Sequence, residues 1–197
     1  MEQNSDRHLI DAHLSGEPNA FEAIVRRYGP SALGYLIKMT HDRQHAEDLF
    51  QETFQRVHVH ADQFQGENLK PWIFKIAAHA AISSYRKTAK EPTLSLSQPA
   101  FCSDCQHCPT LESTLPSTSP EPIETLQLQE KRNLVKESLL KLPDKQRSAL
   151  ILSYYQKLSY KEIAEAMDCS VGSVKTHLCR ALKRLAVLLP NPAGDVE

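Results

Sequence analysis

The 197-residue sequence predicts an all-α protein with two small helical domains joined by a flexible acidic linker, the second domain ending in a helix-turn-helix. Apolar residues recur at steps of three and four through most of the chain, which is the spacing of amphipathic helices. Residues 90–122 lose this period and are dominated by Pro, Ser and Thr, a composition that cannot bury enough apolar area to order itself. Residues 158–185 have the pattern of two short helices with a tight break. We therefore place the domains at 1–89 and 123–189.

Two amphipathic helices are predicted near the start of the first domain. Apolar residues at helical spacing mark one helix over residues 20–28 and another over residues 33–37. Gly29 and Pro30 lie between them, and proline in a helix interior removes a hydrogen bond and clashes with the preceding turn. We therefore expect the helix to break at this pair.

Two longer helices follow in the same domain. Asp42 opens one that runs through His60, with apolar residues on one face and charged residues on the other. Asn68 is placed to cap the next helix, over residues 69–87. Pro71 falls in the first turn of that helix, where a missing N–H costs little.

The last two helices of the chain carry the strongest local signals. Ser159 and Glu162 have the spacing of a capping box for the first of them, and Ser170 can cap the second. Asp168 occupies the break between the helices, and aspartate tolerates a left-handed backbone better than most residues. A capped, basic second helix that packs on a short first helix suits the major groove of DNA.

Charge is strongly segregated along the chain, although the formal net charge is only −1. Residues 1–67 and 92–130 each carry a net charge of −5, whereas residues 68–91 carry +4 and residues 131–197 carry +5. The sequence therefore predicts two separate basic surfaces, each able to displace counterions from a phosphate backbone.

The sequence argues against several functional classes. No apolar run approaches the length of a bilayer span, and the N-terminus is too polar for a secretory signal, so we expect a cytoplasmic protein without membrane insertion. Its five cysteines are then expected to be reduced. We expect no enzymatic activity, because neither a nucleophile elbow nor a phosphate-binding glycine loop is present.

Four segments in this order resemble the sigma factors of bacterial RNA polymerase. They are HAEDLFQETFQRV at 45–57, PWIFKIAAHAAISSYRK at 71–87, LPDKQRSALILSYYQKLSYKEIAEAM at 142–167 and SVGSVKTHLCRALKRL at 170–185. The short chain resembles the extracytoplasmic-function (ECF) group of the sigma-70 family, which has only regions 2 and 4. The resemblance implies a protein that binds core RNA polymerase and directs promoter-specific initiation of transcription.

The resemblance also implies partners and binding surfaces. The partners are promoter DNA and core RNA polymerase, the latter through its β′ clamp helices and β flap, and an anti-sigma factor is expected as in relatives. The final helix pair would read the −35 promoter element. The matching positions are Tyr160, Lys161, Gly172, Ser173, Lys175, Thr176, Cys179 and Arg180.

In this family the first domain binds the polymerase and opens the −10 element. An unstacked base needs aromatic or polar surroundings and its backbone needs cations. The positions that match the −10 surface are Phe64, Lys75, His79, Ser83 and Arg86. The positions that match the clamp-binding surface are Asp48, Gln51, Glu52 and Arg56.

Four positions depart from the common family pattern, and one of them is Asp168, which stands where a turn glycine is usual. Asparagine is usual where His79 stands, an acid is common at Ser83 and arginine is usual at His177. These departures leave the predicted fold intact, and they leave the preferred promoter sequence open.

A cysteine cluster in the linker is unusual for such a small sigma factor. Cys102, Cys105 and Cys108 are spaced C-x-x-C-x-x-C with His107 inside the run, a donor set that suits zinc. The adjacency of His107 and Cys108 makes joint ligation of one ion awkward, and Glu112 stands where an iron–sulfur run would need a fourth cysteine. A redox pair and a reduced linker without function are the alternatives. The predicted function requires no cofactor, and our hypothesis is a metal- or thiol-dependent regulatory element.

A stand-alone helix-turn-helix regulator, which could be metal- or thiol-responsive, is the alternative function. Its first domain would then serve dimerisation or ligand binding. The acid-faced helix over 45–57 and the basic helix over 69–87 favour the sigma factor, because a plain regulator needs neither.

Overall fold

The computed structural model describes residues 5–90 and 122–189, here called the front half and the back half, and every regular element in them is helical. The front half contains α1 (Asp6–Leu14), α2 (Ala20–Thr40), α3 (Arg43–Val59), a 3₁₀ turn (Ala61–Gln63) and α4 (Leu69–Lys90). The back half contains α5 (Pro122–Leu140), α6 (Asp144–Tyr154), α7 (Tyr160–Ala166) and α8 (Val171–Leu188). The predicted all-α class is confirmed.

The helices of the front half begin where the sequence places capping residues. Asp42 Oδ1 accepts a hydrogen bond from His45 N at 3.2 Å, and α3 begins at the next residue. Asn68 Oδ1 accepts from Lys70 N at 3.0 Å at the start of α4. Both predicted caps are confirmed, and each supplies a partner for an N–H that the helix itself leaves free.

The predicted break at Gly29 and Pro30 is wrong, because α2 runs through both residues. Pro30 cannot donate to the carbonyl four residues earlier, so the helix loses one internal hydrogen bond at that point. Buried residues lie on both sides of the pair, among them Ile24 and Leu36, so continuing the helix keeps both stretches in the core. Gly29 is itself buried, and a Cβ there would lie 3.5 Å from the ring of Phe50.

Asp6 joins three helices of the front half. Its carboxylate accepts from Arg27 Nη1 at 2.7 Å, from Tyr28 Oη at 2.5 Å and from Leu69 N at 2.9 Å. The carboxylate of α1 therefore pairs with a cation on α2 and occupies the N-terminus of α4, where the helix dipole favours negative charge. Burial, and then the hydrogen bond to Asp6, raises the pKa of Tyr28, so its hydroxyl remains a donor.

A continuous apolar core connects the two halves. Tyr35, Leu36 and Met39 of α2 belong to the same buried cluster as Ile151 of α6 and Ile163 of α7. Within the described residues, α2 packs against α6, and α4 packs against both α6 and α7. The predicted domain boundaries at residues 89 and 123 stay predictions, while the helices on either side of them are in close contact.

A search of the described helices for a membrane span found none that is both long and apolar enough.

Asp6→Ala is expected to lower the free energy of unfolding by ~2–3 kcal/mol, because three donors lose a charged acceptor. Urea unfolding followed by circular dichroism measures the change. Asp11→Ala on the same helix is the matched control, since Asp11 pairs only with exposed Arg7 at 3.3 Å and such pairs contribute at most about 1 kcal/mol. Equal effects of the two substitutions would contradict the role given to Asp6.

Candidate nucleic-acid interface

Residues 159–188 form a helix-turn-helix in which both helices are capped. Ser159 Oγ accepts from Glu162 N at 3.3 Å and Glu162 Oε2 accepts from Ser159 N at 2.8 Å, which completes the predicted capping box. Asp168 in the turn has a φ of 51°, the left-handed conformation predicted for it. Ser170 Oγ accepts from Ser173 N at 3.1 Å at the start of α8. These local bonds fix the direction in which α8 leaves α7.

Helix α8 has one buried face and one open face. Val174, Leu178 and Ala181 are buried where α8 packs on α6 and α7. The opposite face carries the predicted −35 positions, which follow one another at steps of three and four and so lie on one side of the helix. Gly172, Lys175, Thr176, Cys179 and Arg180 are exposed there, and Ser173 is partly buried.

The open face of α8 is electropositive. Lys175, Arg180, Lys183 and Arg184 are all exposed, and α8 contains no acidic residue. The space beside Gly172 in its first turn is open, because the nearest atom to a Cβ built there would be Ser170 Oγ at 3.7 Å. A helix N-terminus with free N–H groups attracts phosphate. This end of α8 and its basic side chains can therefore contact the phosphates of the same DNA strand.

The first turn of α7 extends this surface. Tyr160 and Lys161 are exposed there, next to the capping box that starts the helix. His177 on α8 is different, because it is partly buried and its Nδ1 has no hydrogen-bond partner. Burial first, then the charges of Lys145 and Arg180, lowers the pKa of His177 below its usual 6.5. At neutral pH this position therefore adds no positive charge to the face.

The predicted −10 positions on α4 share one face. Lys75 and His79 are exposed and Ser83 is partly buried, at successive steps of four residues. They form one wall of a half-open cleft of about 620 Å³. Arg56, His60 and Gln63 line a second side of the cleft. A third side comes from the back half, with Lys145 on α6 and Asp168 in the turn after α7. Sequence reasoning missed Lys145, because its place opposite α4 depends on packing between residues far apart in the chain.

Phe64 is placed differently from the other −10 positions. It is 6% exposed, and its ring centroid lies 5.5 Å from that of Trp72. A Cβ on neighbouring Gly66 would come within 3.2 Å of the Phe64 ring, so a residue without a side chain suits this close packing. In this arrangement Phe64 supports the loop before α4. The side chain of Arg86 lies outside the described residues.

The predicted clamp-binding positions lie on the outer face of α3. Asp48, Gln51 and Arg56 are exposed and Glu52 is partly buried. Arg56 Nη2 pairs with Glu52 Oε1 at 2.6 Å, one helical turn away. Asp48 and Gln51 are therefore the positions of this face most open to a partner.

The cysteines divide into two groups. Cys102, Cys105 and Cys108, with His107, lie outside the described residues. Cys169 and Cys179 are free thiols, the first partly buried in the turn and the second exposed on α8. Burial raises the pKa of Cys169, which keeps it protonated and unreactive. Among the described residues, no group of three or more metal-ligating side chains could hold an ion.

Comparison with known proteins gives matches over both halves. The model of sigma-70 region 2 matches residues 24–91 and the model of sigma-70 region 4 matches residues 132–185. The ECF RNA polymerase sigma factor SigM of Bacillus subtilis is 31% identical over 88% of this chain and 98% of its own. The RNA polymerase sigma factor YlaC of the same organism is 32% identical over 83% and 88% of the respective chains. The sigma factor RpoE of Bartonella quintana, solved with the anti-sigma factor NepR, superposes with a TM-score of 0.62 at 26% identity, covering 86% of this chain and 96% of that one.

Lys175→Ala and Arg180→Ala are each expected to weaken binding of the chain to duplex DNA. A base-reading contact should cost ~1–3 kcal/mol on the preferred duplex alone, whereas a phosphate contact should weaken binding to all sequences alike. Fluorescence anisotropy with a duplex selected from a random pool, and with a scrambled duplex, separates the two outcomes. Lys141→Ala removes an exposed base outside α8 and is the control. Parental affinity in both α8 variants would contradict the assignment of this face.

Proposed function

Because the chain belongs to the ECF group of the sigma-70 family, whose members bind core RNA polymerase and direct promoter-specific initiation, we propose how its surfaces divide that work. The open face of α8, with the first turn of α7, reads the −35 element. The cleft wall on α4 acts on the −10 element. The outer face of α3 binds the β′ clamp helices, and the back half binds the β flap.

The open, acid-free face of α8 is the observation that carries this proposal. It combines exposed basic side chains, open space beside Gly172 in the first turn and packing of α8 on α7, which are features of a recognition helix that enters a major groove. The buried stripe of Val174, Leu178 and Ala181 keeps that face turned away from the core.

The α4 wall supports a role in holding single-stranded DNA. Lys75 supplies a cation for a phosphate, while His79 and Ser83 supply polar groups beside it. Trp72 lines the same cleft and is partly buried, so its ring is available at the edge for a base to stack on. Cation and aromatic surface on one wall are what binding of an unpaired strand requires.

Transcription with purified core polymerase tests the proposal directly. We expect initiation at a specific start site when this chain is added to core polymerase and a promoter fragment. Binding to a −35 duplex without initiation would instead support a stand-alone regulator. No contact among the described residues favours that alternative.

The clamp-binding face has its own test. Asp48→Ala combined with Gln51→Ala should weaken binding to core polymerase by about tenfold, because the two most open side chains of the α3 face are removed. Surface plasmon resonance with immobilised core enzyme measures the affinity. Glu22→Ala, an exposed acid on α2, is the matched control and should bind as the parent does. A double variant with unchanged affinity would place the clamp contact elsewhere.

An anti-sigma partner and a cytoplasmic location belong to the same proposal. The RpoE relative was solved in a complex with the anti-sigma factor NepR. By extension, we propose that this chain is also held by an anti-sigma factor and that it acts in the cytoplasm, where core polymerase is found.

We propose further that the linker cysteines form a metal- or thiol-dependent regulatory element. The support is the C-x-x-C-x-x-C spacing with His107, a donor set suited to zinc. Elemental analysis of protein purified without chelators should find about one zinc per chain, and replacing Cys102, Cys105 and Cys108 together by serine should abolish it. Metal-free parental protein whose initiation is unchanged by the triple replacement, under reducing and oxidising conditions alike, would exclude the element.

A further inference from the structure

The loop that leads into α4 lies beside the α4 wall. Residues 64–68 connect the 3₁₀ turn to α4 and line a half-open cavity of about 520 Å³. Trp72 lines both this cavity and the cleft that contains Lys75, so a DNA strand on the α4 wall would pass next to the loop. Gln65 and Glu67 are exposed in the loop, and amide and carboxylate groups can pair with the edge of an unstacked base. The shape of the loop therefore matters for binding an unpaired strand.

The loop has little hydrogen bonding of its own. Among the described residues, 65–67 take part in no backbone–backbone hydrogen bond. Phe64 at the start of the loop and Leu69 directly after it are buried, whereas residues 65–68 are exposed. Each residue of such a segment has several backbone conformations open to it, and ordering them costs conformational entropy. The loop can keep one shape only if contacts outside it fix its two ends.

Helix α1 contacts both ends of this loop. Ile10 of α1 is 1% exposed and belongs to the same buried apolar cluster as Phe64 and Leu69. Asp6 Oδ2 accepts a hydrogen bond from Leu69 N at 2.9 Å, at the far end of the loop. Arg7 Nη1 donates a longer hydrogen bond, of 3.5 Å, to the carbonyl of Phe64 at the near end. The first two residues of α1 therefore bracket the loop.

Asp6 makes the stronger of the two polar contacts. Its side chain is only 11% exposed, and its carboxylate also accepts from Arg27 Nη1 and Tyr28 Oη of α2. Hydrogen bonds to a charged acceptor are roughly twice as strong as those between neutral groups. Three donors from two other helices leave this carboxylate little freedom to turn, so it fixes where α4 begins relative to α1 and α2.

We propose that Asp6 is a positioning residue for recognition of the −10 element: it holds the loop 64–68 in the shape that receives the unpaired strand, although Asp6 lines neither the cavity nor the cleft. The proposal rests on the function proposed above for α4. A loop that is ordered beforehand loses less conformational entropy when the strand binds, so the complex is tighter. Duplex reading by α8 does not use this loop. Asp6 should therefore affect affinity for the −10 strand and leave affinity for the −35 duplex unchanged.

Hydrogen exchange of the free protein tests whether Asp6 fixes the end of the loop. In Asp6→Ala the Leu69 N–H loses its acceptor, so we expect the amide of Leu69 to exchange at least about tenfold faster, as followed by NMR. Asp11→Ala, an exposed position on the same helix, is the matched control and should leave this rate at the parental value. Parental exchange of the Leu69 amide in Asp6→Ala would overturn the proposal.

Binding of the holoenzyme to two DNA fragments tests the functional part. Both fragments come from a promoter at which the parental holoenzyme initiates. One is a fork whose −10 strand is unpaired, and the other is a duplex with the −35 element alone. Asp6→Ala should weaken binding to the fork by about tenfold and change binding to the duplex less than about twofold, as measured by fluorescence anisotropy. Asp6→Asn keeps an oxygen acceptor without the charge, so its affinity for the fork should lie between those of Asp6→Ala and the parent.

A variant that only destabilises the front half provides the control for this comparison. Leu49→Ala removes a buried side chain from a different apolar cluster, so it should change affinity for the two fragments by the same factor. If Asp6→Ala also lowered both affinities equally, or left affinity for the fork unchanged, Asp6 would have no positioning role. A parental holoenzyme that binds the fork no better than the −35 duplex would overturn the function proposed for α4, and this proposal with it. The parental measurement therefore separates that failure from a failure at Asp6 alone.

Discussion

The need of helix ends for hydrogen-bond partners governs this structure. In a fold made of helices, most of the backbone groups that lack partners lie in the first and last turns. Asp42, Ser159 and Ser170 supply local partners at helix starts. Asp6 supplies one from a distance for the start of α4, and Arg147 does so for the end of α2. The local caps determine where helices begin, and the distant ones determine which helices lie side by side.

The structure shows where the segregated charges of the chain lie on its surface. The exposed bases of α8 lie on a face that no other described element covers, so they can meet DNA without rearrangement. Lys75 of α4 lies in a cleft that also contains Lys145 of α6, an arrangement that would gain from an anion between the two cations. The surfaces proposed for duplex reading and for strand separation therefore differ in how open they are to DNA, although both are basic.

Local sequence signals predicted the secondary structure better than they predicted its packing. The caps at Asp42 and Ser170 and the left-handed turn at Asp168 involve residues within a few positions of each other, so single-sequence reasoning could find them. The break expected at Pro30 was wrong because burial of the apolar residues on both sides outweighs one lost hydrogen bond. Tyr35 and Ser148 are 113 residues apart, and the sequence around neither residue predicts that the two will pair.

The open face of α8 was likewise predictable, since it follows from helical spacing and from the run of bases. The role of Phe64 was carried over from the family pattern, and its burial beside Trp72 depends on the close approach allowed by Gly66. The position of Lys145 opposite α4 depends on how the two halves pack, and helical periodicity contains no information about that.

Arg147 of α6 donates to the Met39 carbonyl in the last turn of α2, and this contact can form only after α6 has been synthesised. A ribosome delivers the N-terminal residues first, so α1 to α4 leave the exit tunnel before α6 has been translated. During that interval Tyr85 of α4 can already donate to the Met39 carbonyl, whereas the Tyr35 hydroxyl still lacks Ser148, its buried partner. A newly made chain thus exposes the Tyr35 surface before α6 is translated, at a time when chaperones can reach it.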